Sequence, residues 1–333
     1  MTKLALHRTL SPLVAADGGL ALAIGNFDGV HRGHQAILQA TCDAASEHAL
    51  TPAALSFEPL PREYFSRARH DSPGAPARLM CLSEKLSAFA SSGMHHVYIP
   101  RFNAAFAGQS PEQFMASLEA MRVRWLMVGE DFRFGKQRAG DVATLRAGAN
   151  HYGFTVETIA EIDEHGRRVS STTIRDALRM GNFAVANAML GRPYRITGRV
   201  THGKKLGRTL GFPTANISLG CTARRRKPAL TGVFAVRCRL VTRGLEGVAG
   251  KVGTILDGVA NLGTNPVVSS ENRHHLEVFL FDFSGNLYGQ RLEVAFIEKI
   301  RDEQEFASLD TLVTQMHDDT RKARNILKLA DER

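Results

Sequence analysis

The sequence predicts two halves of different architecture: an α/β N-terminal domain built on a parallel sheet, then an all-β C-terminal barrel with a closing helix. Three observations carry this. Short apolar runs alternate with amphipathic stretches up to about residue 190, the texture changes at Gly191-Arg192-Pro193, and beyond it strand-like runs separated by Gly-rich turns lead to one long amphipathic stretch. A chain of 333 residues exceeds one domain of ordinary size, and 44% apolar with 23% charged residues is globular composition.

In the first half, residues 20–24, 53–57, 97–99, 125–128 and 154–159 read as buried strands, with helices over 33–48, 83–91, 111–121 and 141–152 between them. A β-α-β-α order makes the strands parallel and covers both faces, which places a ligand at their carboxyl ends. Two short helices follow, 172–180 and 183–190, separated by Gly181-Asn182. From there 195–201, 233–240, 258–262, 275–283 and 291–300 read as strands of an antiparallel sheet or small barrel. Ser308 is the expected N-cap of a closing helix over 309–329. The domains are taken as residues 1–186 and 187–333.

A net charge of +9 favours anionic partners without saying which. Its densest run, Arg224-Arg225-Arg226-Lys227, lacks periodicity and reads as a solvated surface loop. No run approaches the roughly 18 apolar residues of a membrane helix. The short apolar stretches of the first 17 residues are broken by His7, Arg8 and Asp17, so neither a signal peptide nor a membrane span is expected. The four cysteines, Cys42, Cys81, Cys221 and Cys238, are scattered, with no Cys-x-x-Cys pair. That argues against a zinc knuckle or disulfide scaffold and fits a reducing cytoplasm.

The strongest segment in the first half is Gly25-Asn26-Phe27-Asp28-Gly29-Val30-His31-Arg32-Gly33-His34, after the first strand and at the opening of the first helix. Glycines 25, 29 and 33 let the backbone turn close to a ligand, and a helix N-terminus offers free N–H groups to phosphate. His31 and His34 lie one helical turn apart and can face one ligand. Donors so placed assist in-line displacement at phosphorus as negative charge builds, each worth about 3–4 kcal/mol. This segment resembles the His-x-Gly-His element of the nucleotidyltransferase superfamily, in its bacterial FAD synthetase form. Ser170-Ser171-Thr172-Thr173-Ile174-Arg175 is similar to that family's Ser-Ser-Thr-x-Ile-Arg segment. The resemblance implies a Rossmann-like domain that binds the nucleotide through Gly25, Asn26, Phe27, Asp28, Gly33, Ser171, Thr172 and Arg175, with His31 and His34 catalytic. Ser56-Phe57-Glu58-Pro59-Leu60-Pro61 and Gly129-Glu130-Asp131-Phe132 resemble segments lining the flavin pocket, which implies flavin contacts at Phe57, Pro61 and Asp131. For Phe57 and Asp131 a core aromatic and a loop cap remain the alternatives. Leu60 stands where the family usually has histidine.

In the second half, His202-Gly203-Lys204-Lys205-Leu206-Gly207-Arg208-Thr209-Leu210-Gly211-Phe212-Pro213-Thr214-Ala215-Asn216 is a Gly-rich basic loop running into a strand, and it resembles the riboflavin kinase signature. The resemblance implies polyphosphate held by Gly203, Lys205, Gly207 and Arg208, with Mg²⁺ on the oxygens of Thr214 and Asn216. The FMN phosphate can attack ATP as an anion, whereas the terminal ribityl hydroxyl of riboflavin must lose a proton, so a carboxylate base is expected in this half only. Glu277 is the candidate: it alternates with Phe279, Phe281 and Phe283 on one strand face, and Leu276-Glu277-Val278 is similar to the family's catalytic strand. A barrel-end carboxylate paired with Lys or Arg is its alternative. Asn265 replaces a common arginine before Pro266, and residues 241–257 form a longer connection than usual.

The expected function is therefore ATP-dependent phosphorylation of riboflavin to FMN by the barrel, then adenylylation of FMN to FAD by the α/β domain. ATP is co-substrate and Mg²⁺ serves both steps; riboflavin, FMN and FAD are the other partners. Neither nucleic acid nor membrane is expected, and the oligomeric state is left open. The rivals are a chain that kept one activity, and a basic nucleic-acid-binding or flavin-sensing protein without turnover, which would bind RNA or DNA in a salt-sensitive way.

Overall fold

The computed structural model describes residues 4–11, 18–68, 75–160, 162–164, 166–203, 206–219, 227–241, 255–265 and 273–331. Packing divides these into two compact units: one holds the chain up to residue 76 and again over 82–170, the other holds 77–81 and the chain from 171 on.

The first unit runs β1 (Ala5–His7), β2 (Leu20–Ile24), α1 (Arg32–Glu47), β3 (Thr51–Leu55), α2 (Pro61–Ala68), α3 (Leu82–Ser91), β4 (His96–Tyr98), α4 (Ala104–Ala107), α5 (Pro111–Ala120), β5 (Val123–Gly129), a hairpin of β6 (Arg133–Phe134) and β7 (Gly140–Asp141), α6 (Val142–Tyr152), β8 (Thr155–Ile159) and a hairpin of β9 (Asp163–Glu164) and β10 (Arg167–Arg168). Its main sheet has the order β1-β4-β3-β2-β5-β8, every pair parallel. All five residues of the central β2 are buried, because both sheet faces are covered. Local chemistry agrees with this topology. Ser110 with Gln113, and Asp141 with Thr144, form capping boxes on α5 and α6. Gly153 ends α6 in the left-handed conformation, φ 68°, that a side chain would resist.

The second unit opens with α7 (Ser171–Arg179) and α8 (Phe183–Leu190). It continues through β11 (Arg195–Thr201), the one-turn α9 (Leu206–Thr209), β12 (Thr214–Ile217), β13 (Gly232–Val241), β14 (Leu256–Asn265), β15 (Arg273–Leu280), β16 (Arg291–Arg301) and α10 (Leu309–Asp331). The strands close a six-stranded antiparallel barrel, β11-β12-β15-β14-β13-β16. Its filling follows the period of two: Leu292, Val294 and Phe296 on β16 and Leu276 and Val278 on β15 are fully buried, each worth about 1.5–3 kcal/mol. The closing helix begins where Ser308 Oγ accepts the Thr311 N–H at 3.2 Å. It lays Ala323 and Leu327 on Ala235 and Phe281 of the barrel's outer side. Arg301 at the end of β16 grips Asp319 of α10 through Nε to both carboxylate oxygens at 3.0 Å and through Nη2 to Oδ2 at 2.7 Å.

Two expected strands are corrected, and two elements were not expected. The strand expected over 275–283 ends at Leu280; Asp282 turns the chain at φ 53°, and Phe281 leaves the strand to pack under α10. The strand expected over 53–57 runs Thr51–Leu55, which puts Ser56 and Phe57 just past its carboxyl end. The edge strand β1 and the helix α2 were not anticipated: three residues beside Arg8 give too little periodicity, and the Glu-Pro-Leu-Pro run hides a helix that starts at Pro61.

Candidate functional sites

The carboxyl ends of β2, β3 and β5, adjacent strands of the parallel sheet, collect most of the N-terminal candidates. Gly25 donates its N–H to the Leu55 carbonyl at 3.1 Å, so the turn starts already tied to β3. Phe27, Gly29 and Val30 then take φ of 47°, 91° and 40°. For Phe27 and Val30 this costs about 1–2 kcal/mol each. Both side chains are buried, which offsets that cost by a similar amount or more. Phe27 packs edge-on to Phe89 of α3, with centroids 5.1 Å apart, so it can offer a ligand its backbone but not its ring. Asp28 is also buried.

His31 is the N-cap of α1: its Nδ1 accepts the His34 N–H at 3.3 Å. A neutral His31 with Nδ1 accepting carries its proton on Nε2, which makes that atom a donor. The two imidazoles do more than share a helix face. They stack, with centroids 3.6 Å apart and planes 18° from parallel, and His34 also leans on the Phe27 ring at 5.1 Å. Burial first, then the charges of His31 and Lys85, hold the His34 pKa well below the usual 6.5. The first turn of α1 carries no acidic residue, so its positive end stays available to an anion.

The flavin-contact candidates sit at the same strand ends in different settings. Phe57 is buried in an aromatic cluster, edge-on to Phe102 at 5.7 Å and to Phe106 at 5.5 Å. Pro61 is the half-buried first residue of α2. Leu60 is buried, and its N–H donates to Glu63 Oε2 at 3.0 Å, so the position that lacks histidine works by packing. Asp131, just beyond β5, is exposed and pairs with Arg168 at 3.2 Å. Ser171, Thr172 and Arg175 open α7 in the other packing unit, where Arg175 is buried and its Nε donates to the Ala77 carbonyl at 2.6 Å.

On the barrel, Ala215, Ile217, Leu276, Val278, Ala260 and Leu262 point inward, so Thr214, Asn216, Glu277 and Asn261 share the outer face. The register sets Glu277 directly opposite Asn216 on β12 and opposite Asn261 on β14. Thr214 Oγ1 lies 3.5 Å from Glu277 Oε2. Two glycines of the Gly-rich stretch lie close to this group: a Cβ at Gly203 would stand 2.4 Å from the Asn216 amide, and one at Gly207 would stand 2.4 Å from the Phe212 carbonyl and 3.4 Å from Thr214 Oγ1. Lys205 lies outside the described residues, as do Arg224 to Arg226, Pro266 and residues 242–254. Arg208 contributes backbone to α9. Among the described residues no cluster of three His, Cys, Asp or Glu side chains could hold a metal ion. The hydroxyl, amide and carboxylate oxygens of Thr214, Asn216 and Glu277 are instead the hard donor set that suits Mg²⁺.

Two neighbours escaped the sequence reading. Lys85 stands beneath the Gly25–His34 turn beside Ser56, whose segment resembles a flavin-pocket lining, and the only signal of Lys85 was its place on the apolar face of α3, four residues before Phe89. Asn261 faces Glu277 with a buried Oδ1 that has no partner among the described residues; its signal was an amide in an otherwise apolar alternation.

Both halves resemble known proteins. Residues 14–173 match the family model for FAD synthetase, and residues 190–327 match that for riboflavin kinase. The chain is similar to the bifunctional riboflavin kinase/FMN adenylyltransferase of Haemophilus influenzae, 43% identical over 92% of this chain and 94% of that one. It is 42% identical to the protein of that name from Escherichia coli K12, over 95% of both chains, and 41% identical to that from Pseudomonas fluorescens, over 96% of both. A solved structure described as a macrolide-efflux protein from Streptococcus pneumoniae superposes with a TM-score of 0.76 at 26% identity, over 97% of this chain and 99% of that one. Among the described residues here, no helix is long and apolar enough to cross a membrane.

Proposed function

The chain belongs to the family of bifunctional riboflavin kinase/FMN adenylyltransferases, and from that premise we propose how its two sites divide the work. It phosphorylates riboflavin with ATP, giving FMN and ADP, and adenylylates FMN with a second ATP, giving FAD and pyrophosphate. Residues 1–186 carry the adenylyl step and residues 187–333 the kinase step, in a cytoplasmic setting.

The observation that carries this division is the pairing of Glu277 with Asn216 and Thr214 on the barrel's outer face. Glu277 accepts the proton of the ribityl hydroxyl as that oxygen attacks the γ-phosphorus. The backbone around Gly203 and Gly207, with Lys205 and Arg208, holds the polyphosphate. Thr214 and Asn216 would hold Mg²⁺, which when bound neutralises phosphate charge and orients the leaving group.

The adenylyl step needs no base, because the FMN phosphate is already ionised. Its demand is stabilisation of the charge that builds on the α-phosphoryl oxygens. His31, with Nδ1 occupied as a cap, donates from Nε2, and the stacked His34 adds a second imidazole. Gly25, Asn26, Phe27, Asp28 and Gly33 bring backbone to the nucleotide at the N-terminus of α1. Ser171, Thr172 and Arg175 bind its phosphates. Phe57, Pro61 and Asp131 border the flavin. The test is flavin chromatography after incubation with ATP and Mg²⁺, once from riboflavin and once from FMN. FMN followed by FAD in the first, and FAD in the second, is expected; absence of FAD from both would reduce the chain to a kinase.

A further inference from the structure

Lys85 is 2% exposed, an unusual place for an ammonium group. Its Nζ donates to the Asn26 carbonyl at 2.7 Å and to Ser56 Oγ at 3.1 Å, and Ser56 Oγ donates to the same carbonyl at 3.1 Å. Taking an ammonium out of water costs several kcal/mol, and an apolar side chain of similar volume commonly serves stability as well or better. Packing alone therefore does not account for lysine here.

What the three groups share is the turn. Asn26 is the residue between Gly25 and Phe27, where the chain enters its left-handed segment, and its carbonyl fixes the orientation of the Asn26–Phe27 peptide plane. α3 supports that segment twice, with Lys85 under the Asn26 carbonyl and Phe89 under the Phe27 ring, which itself touches His34. We propose that Lys85 is a positioning residue of adenylyl transfer: with Ser56 it clamps the Asn26 carbonyl and so sets the Gly25–His34 turn in its phosphate-handling shape. This rests on the reading of the N-terminal site given above.

The clamp also acts through charge. The titratable groups that bear on His34 are His31, stacked on it, and Lys85 from α3; both disfavour protonation, in addition to burial. Asp28 is buried in the same turn. Lys85 thus helps to keep His34 a neutral imidazole.

Full-length Lys85→Met and Ser56→Ala test the clamp, with FMN formation from riboflavin as a control on the same chain and histidine titration by NMR as a second readout. Lys85→Met is expected to lower kcat for FMN-to-FAD conversion by about 10- to 100-fold, the scale of a misplaced catalytic turn. The His34 titration should move up, and FMN formation should stay at the wild-type rate. Ser56→Ala, which removes one hydrogen bond and little volume, should lower the same kcat by a few fold. The proposal is overturned by an unchanged kcat and His34 titration in Lys85→Met, by equal loss of both activities in it, or, should that variant fail to fold, by an unchanged kcat in Ser56→Ala. Wild-type protein that makes no FAD would instead refute the reading on which the proposal rests.

Discussion

At the head of α1 the groups proposed to handle phosphate are backbone and imidazole, whereas on the barrel they are side-chain oxygens. The first site is packed from below: Phe27 is buried on Phe89, His31 caps the helix and stacks on His34, and Lys85 ties the turn to α3. The second is laid out on a strand face, with Glu277, Asn216, Thr214 and Asn261 brought together by register. The difference fits the chemistry proposed for each site. A phosphate that is already anionic needs a rigid set of donors, which a helix start and a buried turn supply. A hydroxyl needs a base and a cation, which alternate residues of neighbouring strands can hold at spacings fixed by the sheet.

The largest expected effect that would break this contrast comes from Glu277, the proposed base. Glu277→Gln should lower FMN formation by about 10²–10⁴-fold, the span of general-base catalysis, and leave FMN-to-FAD conversion within about twofold. His34→Ala should do the reverse, costing FAD formation about 10²–10³-fold, the scale of losing one fixed donor. Asp319→Ala sharpens the comparison from the side of stability. It leaves the Arg301 guanidinium partly buried without its bidentate partner, so calorimetry should show the barrel destabilised by about 3–5 kcal/mol while FAD formation from FMN persists.

The smallest effect concerns pH. Burial, His31 and Lys85 depress the His34 pKa in the folded chain. The unfolded chain takes up this proton near pH 6.5 and the folded chain only below that. The stability contributed by a neutral His34 is thus fully present above about pH 6.5 and is lost as pH falls through the lower, folded pKa. Thermal melting should show a midpoint that declines on acidification below about pH 6.5, and the decline should be shallower in His34→Gln.

The two regions also differ in how far the sequence discloses them. In the α/β half the strand over 20–24 and the start of α1 are legible, because a continuous apolar run followed by a Gly-rich turn has few other solutions. The spacing of His31 and His34 gives a shared face, but neither the ring stacking nor the use of His31 as a cap is encoded in spacing. Lys85 is hidden for a related reason, since one lysine on a ten-residue helix reads as solvated until the turn above it is placed.

In the barrel, β11 and β16 follow their alternation closely, and Ser308 starts α10 as its residue type suggests. The strand carrying Glu277 overshoots in the sequence reading because Phe281 and Phe283 continue the pattern. Phe281 in fact owes its burial to α10, a contact that arises only once the helix folds back. The opposition of Asn216 and Asn261 to Glu277 is a matter of cross-strand register, which no single segment contains.

The division of labour between the two sites is tested most directly by mixing purified Glu277→Gln and His34→Ala proteins with riboflavin, ATP and Mg²⁺ and measuring FAD. Neither variant alone should yield FAD from riboflavin above a trace. The mixture should yield it steadily, since one variant supplies FMN and the other adenylylates it. A mixture as inactive as its parts would contradict the assignment of one reaction to each site.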